Sequence, residues 1–314
     1  VVSGVRHKSV LQDTRLKLTR YQEPCRVRRL YVVEGIGNNE RTLKLNDPDV
    51  DTLAAALLER MYYCKVAGKV EQPYAVDPQF IHLKLLKFKN SVVKNCKRSP
   101  PISPEQFVEM YRGRKRTIYE NALNEYYEAG VQKKHSLITV NVKCEKVPEE
   151  KAPRCIQFRS PVYNIGLGVY LKAAEKRIYT AIGDTFGGEV TVVKGYNMNQ
   201  VGQIVFDAWH SFEEPVAVGL DATKFDMHVS KGMLQWEHSV YKAIYNNDPE
   251  LSRLLRWQLH NFGTGYCDDG RVKYDVEGRR MSGDMNTGLG NCLIMCAAVW
   301  TYAKEREVPI RLLN

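Results

Sequence analysis

The 314-residue sequence predicts an α+β fold. Leu53, Leu57, Leu58 and Met61 recur at helical spacing, whereas Ser136–Lys143 and Arg154–Arg159 alternate side chains as strands do. An Asp-Gly signal at Asp269-Gly270, between Thr264–Cys267 and Arg271–Asp275, adds a hairpin.

Taken in order, residues 1–45 are rich in Arg and Lys and punctuated by Gly35 and Gly37, with a strand expected at Arg28–Glu34 around a β-branched and aromatic core. Asn46-Asp47-Pro48 starts a helix, Pro48 suits its first turn, and it ends near Cys64. Phe80–Lys97 reads as a second amphipathic helix. Its Lys84, Lys87, Lys89, Lys94 and Lys97 fit either an RNA-facing stripe or a solvated helix face. Ser99–Pro104 breaks the pattern and caps a third helix from Glu105 to about Tyr111. Arg112-Gly113-Arg114-Lys115-Arg116 follows, with Tyr111 and Tyr119 beside it, a candidate for the phosphate backbone of RNA. A helix over Ile118–Ala129 leads to the strand Ser136–Lys143.

From Lys143 to Arg159 the pattern is a strand, a Pro-bearing bend and a second strand. Alternation places Arg154, Ile156 and Phe158 on one face and Cys155, Gln157 and Arg159 on the other. Lys143, Lys146, Lys151, Arg154 and Arg159 together suit a channel for a triphosphate, where fixed cations offset anionic oxygens. Next come a helix over Val169–Ala181, a Gly187-Gly188 turn and a short strand Val190–Val193. Pro215–Leu220 is expected to be a buried strand delivering Asp221 at its carboxyl end, and Asp226 follows as the chain turns toward a helix beginning near Val229. Trp236, Tyr241 and Trp257 fall at helical core positions, and His228 and His238 read as packing or surface groups. Ser282-Gly283 makes a tight turn, with Gly283 tolerating it, into a helix whose apolar run is Leu293–Trp300. Ser282, Thr287 and Asn291 then lie in a loop and on the first turns of that helix.

Charge and composition narrow the class of partner. The 46 Lys and Arg against 36 Asp and Glu give a formal charge of +10, which favours a polyanion through counterion release. Cys25, Cys64, Cys96, Cys144, Cys155, Cys267, Cys292 and Cys296 show neither a CxxC pair nor zinc-ligand spacing, which suits a reducing compartment. Cys292 and Cys296 share a helix face, as half a metal site or as small buried residues. No apolar run approaches the roughly 18 residues of a membrane span, and the N-terminus lacks a signal-peptide layout. The missing initiator Met and the apolar ending Ile310–Asn314 suggest a piece of something longer.

The chemistry concentrates in two segments. A carboxylate at a strand end, as Asp221 is expected to be, holds Mg²⁺ through oxygen while leaving water and phosphate positions open. Two such metals about 4 Å apart activate an attacking hydroxyl and stabilise a leaving pyrophosphate. Asp226 accepts only, while Ser282 and Asn291 also donate, so between them they satisfy a ribose 2′-hydroxyl. No Ser, His and Asp constellation suggests hydrolysis.

With the basic strand pair, Gly219-Leu-Asp-Ala-Thr-Lys-Phe-Asp226 and Ser282-Gly283-x3-Thr287-x3-Asn291 in this order, the chain resembles the RNA-dependent RNA polymerases of positive-strand RNA viruses. Within them it is similar to the tombusvirus family and its carmovirus-like replicases. The resemblance runs through Leu57-Leu-Glu-Arg-Met-Tyr-Tyr63, Gly113-Arg-Lys-Arg-Thr-Ile-Tyr-Glu-Asn121, Lys151-Ala-Pro-Arg154 and Phe225-Asp-Met-His-Val-Ser230.

That resemblance implies a right-hand polymerase fold, with fingers over 1–206 including the basic strands of motif F, and palm with motif A over 207–230. A fingers insertion over 231–281 and palm with motif B over 282–314 complete it. It implies Asp221 as a ligand for Mg²⁺, or Mn²⁺ in its place. Asp226, Ser282, Gly283, Thr287 and Asn291 are implied at the nucleotide and its ribose, and Lys143, Lys146, Lys151, Arg154 and Arg159 at the triphosphate. Implied partners are viral RNA as template and product, ribonucleoside triphosphates and another viral replicase protein, in membrane-associated replication complexes of the host cytoplasm. The family's Gly-Asp-Asp turn and thumb do not occur before Asn314, so the chain alone is expected to be inactive. Asp268-Asp269 lies before motif B and reads as a hairpin turn, and Asp284 as a helix N-terminal charge. The readings from other classes are an RNA-binding or replicase-assembly segment without catalysis, and a DNA-making palm polymerase, against which Asn291 and Asp226 argue.

Overall fold

A computed structural model describes residues 1–31 and 43–314. Short strands β1 (Val2–Ser3), β2 (Leu16–Arg20), β3 (Arg29–Leu30) and β4 (Leu43–Leu45) precede helix α1 (Val50–Leu57), which runs into a π-helical turn, Leu58–Tyr62. Of the strand expected at Arg28–Glu34, only β3 falls in the described part. Its remainder beyond Tyr31, with Gly35 and Gly37, lies outside the described residues. The hairpin β5 (Cys64–Val66) and β6 (Lys69–Glu71) leads to α2 (Pro78–Lys84), α3 (Leu86–Asn95), α4 (Pro104–Glu109) and α5 (Gly113–Ala129). Then come β7 (Ile138–Val142), β8 (Lys146–Pro148), β9 (Cys155–Phe158), α6 (Pro161–Phe186), α7 (Met198–His210), α8 (Phe225–His228), α9 (Lys231–Ile244) and α10 (Pro249–Arg256). The hairpin β10 (His260–Cys267) and β11 (Gly270–Glu277) and the long helix α11 (Thr287–Arg306) follow.

Five strands form one sheet in the order β2-β11-β10-β7-β9. Its neighbours are antiparallel except β10 and β7, which pair in parallel through Gly263 with Ile138 and Thr264 with Thr139. Alternation sends Ile138, Val140 and Val142 of β7 and Val272, Tyr274 and Val276 of β11 to one face, where Val50, Leu53, Ala54 and Leu57 of α1 cover them. Asp49 starts α1 by accepting from the Asp51 and Thr52 amides, so Pro48 stands just before the cap rather than in the first turn. The second core is helical. The 26-residue α6 runs through it, packed against α3, α4, α5, α10 and α11. Gly168 sits on α6 because a Cβ there would overlap the Phe107 ring.

Three expectations change, and one feature is added. The helix expected over Phe80–Lys97 breaks at Leu85, whose ψ of 5° leaves the helical region, and Phe80 and Leu83 point to solvent. Val190–Val193 is not a strand. Its backbone instead exchanges bonds with Asn314, whose amide donates to the Thr191 carbonyl while its carbonyl accepts from Val193. Pro215–Leu220 is neither a strand nor buried. It has no sheet neighbour among the described residues, and Val216, Val218 and Leu220 are exposed. Finally, α7 carries an apolar face, with Met198, Val205, Phe206 and Trp209 open to solvent, that the sequence reading left unassigned.

All eight cysteines are free, and Cys296 is buried as a small apolar residue. Among the described residues no helix is long and apolar enough to cross a membrane.

Candidate nucleotide site

The site is built where β11 leaves the sheet. Gly278, at φ +68°, and Arg279, also at φ +68°, reverse the chain, and a Cβ on Gly278 would press on the Lys231 amide. The Arg279 amide then donates to the Val229 carbonyl at 2.8 Å and the Arg280 amide to the Asp226 carbonyl at 3.0 Å. These two bonds lash the loop before α11 to the segment around α8. Lys224, left-handed at φ 53°, turns that segment into α8, and its Nζ donates to the Glu59 carbonyl at 2.7 Å.

The loop before α11 also grips β9. The Gly283 amide donates to the Gln157 carbonyl at 2.7 Å, and the Gln157 amide donates to Ser282 Oγ at 3.2 Å. Gly283 is needed for this approach, since a Cβ would stand 2.5 Å from the Gln157 oxygen and 3.0 Å from Phe158 Cβ. Thr287 Oγ1 folds back to donate to the Met281 carbonyl at 2.8 Å, closing the turn at the start of α11. Asn291, one turn along α11, donates through Nδ2 to Asp226 Oδ1 at 3.0 Å. Asp226 and Asn291 therefore meet. Ser282 and Thr287 are held against backbone, Ser282 on β9 and Thr287 on its own turn.

Beneath this surface lies a buried polar network. Arg280 donates through Nε to Asn291 Oδ1 at 3.1 Å and pairs with Glu237 of α9, both side chains fully buried. Glu237 Oε1 also accepts from Tyr241 and from Asn286, each at 2.8 Å, and Gln258 donates to Asn286 Oδ1 at 2.9 Å. His238 joins Gln258 Oε1 at 3.1 Å, and burial presses its imidazole down to about 4, so it is neutral and donates. Sequence reading missed Arg280, Glu237, Asn286 and Gln258. A signal for Glu237 was present, because it falls on the apolar stripe Leu234, Glu237, Tyr241, Ile244 of α9.

The five cations expected at a triphosphate divide. Arg154, just before β9, is exposed and, with Lys143, pairs with Glu145, at 3.2 and 2.9 Å. Lys146 and Lys151 are exposed. Arg60, which the sequence reading did not single out, holds the bend by donating to the Ala152 and Pro153 carbonyls, each at 3.2 Å. Arg159 points inward instead. Its guanidinium is fully buried and donates to Asp284 at 2.6 Å, to Asn261 Oδ1 at 2.5 Å and to the Ser136 carbonyl at 2.6 Å. The expectation that it lines the channel is corrected by the strand's own alternation, which puts it on the opposite face from Arg154. Asp284 is accordingly the buried partner of Arg159 rather than a helix-terminal charge in water.

Asp221 stands in the exposed segment before α8. Among the described residues no group of three or more His, Cys, Asp or Glu is placed to hold a metal ion. These residues therefore do not assemble a complete Mg²⁺ or Mn²⁺ site, and Asp221 offers one hard oxygen donor. The pair Asp268-Asp269 is the two-residue turn between β10 and β11. Asp268 accepts from Arg26 and Asp269 accepts from the Val50 amide at 3.0 Å, so both serve the fold. Arg112, Arg114, Lys115 and Arg116 are exposed at the N-terminal turn of α5. Lys115 lies 4.7 Å over the Tyr111 ring, and Arg116 pairs with Glu120.

The chain is thus a mixed helix-and-sheet protein in which one loop joins the Asp226 segment, the helix bearing Asn291 and β9. The family model described as viral RNA dependent RNA polymerase matches residues 16–314, and the chain belongs to that family. It is 42% identical over 313 residues to an RNA-directed RNA polymerase of maize chlorotic mottle virus, covering 98% of this chain and 31% of that protein. Similar relatives of the same printed name come from melon necrotic spot virus, 38% identical over 98% of this chain and 39% of the relative, and turnip crinkle virus, 40% identical over 93% and 37%. The chain thus spans between about three and four tenths of the length of these relatives.

Proposed function

We propose that the protein containing this chain is an RNA-directed RNA polymerase of a positive-strand RNA virus, adding ribonucleotides to a 3′ end under direction of an RNA template. One observation carries the reading: the Asn291–Asp226 hydrogen bond, beside a loop tied to β9 through Gly283, Ser282 and Gln157, brings three separated segments together. An ionised carboxylate accepts and does not donate, so Asp226, engaged through Oδ1, has its second oxygen to accept a ribose 2′-hydroxyl. A site matched to that hydroxyl rejects a nucleotide lacking it, by up to roughly 10⁴–10⁵-fold. Lys143, Lys146, Lys151 and Arg154 are the cations proposed for the triphosphate, and Arg112, Arg114, Lys115 and Arg116 for RNA phosphates. Arg159 acts by fixing Asp284 and thereby the loop.

Asp221 is proposed as one ligand of a divalent cation, which would supply charge stabilisation to the leaving phosphate. We assign fingers to 1–206 and 231–281 and palm to 207–230 and 282–314. The polymerase works in membrane-associated complexes of the host cytoplasm with another viral replicase protein.

The test is nucleotide incorporation on an RNA template with Mg²⁺, comparing this chain with the complete polymerase and its Asp221→Ala and Asp269→Ala variants. We expect activity in the complete protein only, lost in Asp221→Ala and mostly kept in Asp269→Ala. Incorporation by the 314-residue chain alone would refute the need for further residues. RNA binding without incorporation by either form would favour an RNA-binding or assembly segment.

A further inference from the structure

We infer that Arg280, held by Glu237, is a positioning residue for ribose selection, because it sets which end of the Asn291 amide faces Asp226. The inference rests on the ribose reading above. An amide has an accepting and a donating end of nearly equal size, and only its neighbours choose between the two orientations. Arg280 carries donors only, so Asn291 must turn Oδ1 toward Nε, and the two meet at 3.1 Å. The donating end is thereby directed at Asp226, where Nδ2 stands 3.0 Å from Oδ1. Turned the other way, Asn291 would present an oxygen to a carboxylate, and Asp226 would have to move away from the position in which its second oxygen meets a ribose.

Arg280 is suited to this task in three further ways. Its backbone amide donates to the Asp226 carbonyl at 3.0 Å, so one residue fixes both the backbone of Asp226 and the side chain that orients its carboxylate. Its guanidinium is anchored by Glu237, and Glu237 is itself fixed by Tyr241 and Asn286, so the anchor does not swing. The pair also abuts the helix bearing Asn291. A Cβ at Gly290 would overlap both Glu237 Oε1 and Arg280 Nη2, so the residue beside Asn291 is one that lets the ion pair reach the helix backbone. An arrangement this enclosed gives the Asn291 amide little freedom to flip.

The test compares kcat/KM for a ribonucleoside triphosphate and its 2′-deoxy counterpart in the complete polymerase, for wild type, Arg280→Lys and Asn291→Ala. Lysine keeps a cation against Glu237 but loses the Nε donor that Asn291 uses. We expect Arg280→Lys to lower the ribose preference by about tenfold or more, chiefly through the ribonucleotide, while the 2′-deoxy substrate keeps most of its value. Glu237→Asp, which keeps the charge but shortens the reach to Arg280 and so slackens the anchor, should shift the ratio in the same direction and carries the test if Arg280→Lys does not fold. A merely structural role would reduce both substrates by one factor. That result, or an unchanged ratio in a variant with Asn291→Ala still responsive, overturns the positioning role. An unchanged ratio in Asn291→Ala overturns the ribose reading itself, and the inference with it.

Discussion

Arg154 and Arg159 stand five residues apart in one basic segment, yet the fold gives them opposite tasks. Arg154 is exposed beside Lys143, whereas Arg159 is sealed beneath the loop against Asp284 and Asn261. Removing one partner of a buried pair leaves an uncompensated charge. Arg159→Met should therefore cost about 3–5 kcal/mol of stability, whereas Arg154→Ala should cost under about 0.5 kcal/mol and instead raise KM for nucleotide. Denaturant titration of both variants checks the contrast, and equal losses would contradict it. The same logic separates the acidic residues. Asp269 accepts from the Val50 amide at the start of α1 and belongs to the fold, while Asp221 is exposed. Two-residue alternation already put Arg159 on the face opposite Arg154. The sequence could not say which face was inside, because that depends on the helices covering it.

At the scale of elements, α9 shows how one stripe serves two purposes. Leu234, Val240 and Ile244 fill the helical core, and Glu237 on the same side anchors Arg280. His238 sits next to it, buried and neutral, with its pKa pressed down to about 4 by burial. The sign follows from linkage. An unfolded histidine takes up a proton near pH 6.5 and the folded one only near 4, so between these values the unfolded chain binds more protons and stability falls as pH falls. The slope is about 1.4 kcal/mol per pH unit for one group. His238→Gln, which retains a donor for Gln258, should flatten the loss of thermal stability between pH 6.5 and 4.5, and an unchanged profile would count against the buried neutral imidazole. The helices themselves were largely legible. Apolar spacing found α1, and α5 starts at Gly113, ahead of the expected Ile118, while the sequence reads α2 and α3 as one helix because nothing local announces the break at Leu85. The expected strand at Pro215–Leu220 failed for a different reason: β-branched residues specify a strand only when a neighbour takes up its backbone groups, and none of the described residues does so.

For the molecule as a whole, the charge of +10 is spread over a surface on which the cations at the start of α5 and those around β8 and β9 stand out. If both meet RNA or nucleotide phosphate, affinity for single-stranded RNA should fall with salt at a slope of about −0.7 for each phosphate neutralised. Replacing Arg112, Arg114 and Lys115 by Ala should shallow that slope by roughly two. Filter binding across a salt series checks this, and a slope identical to wild type would remove α5 from the RNA surface. Two cores, one between α1 and the five-stranded sheet and one around α6, flank the loop before α11, and the loop draws bonds from α8, α9 and β9. By itself the sequence determined the family resemblance, the residues Asp226 and Asn291, the hairpin at Asp268-Asp269 and most helices, since each is written in local order and spacing. Only the tertiary structure decided that Arg159 is buried, that Gly283 serves close approach to β9, and that Arg280 and Glu237 stand behind Asn291. Such contacts join residues up to 127 apart, as between Ser282 and Cys155, and no local pattern encodes which distant side chain will arrive to satisfy a buried charge.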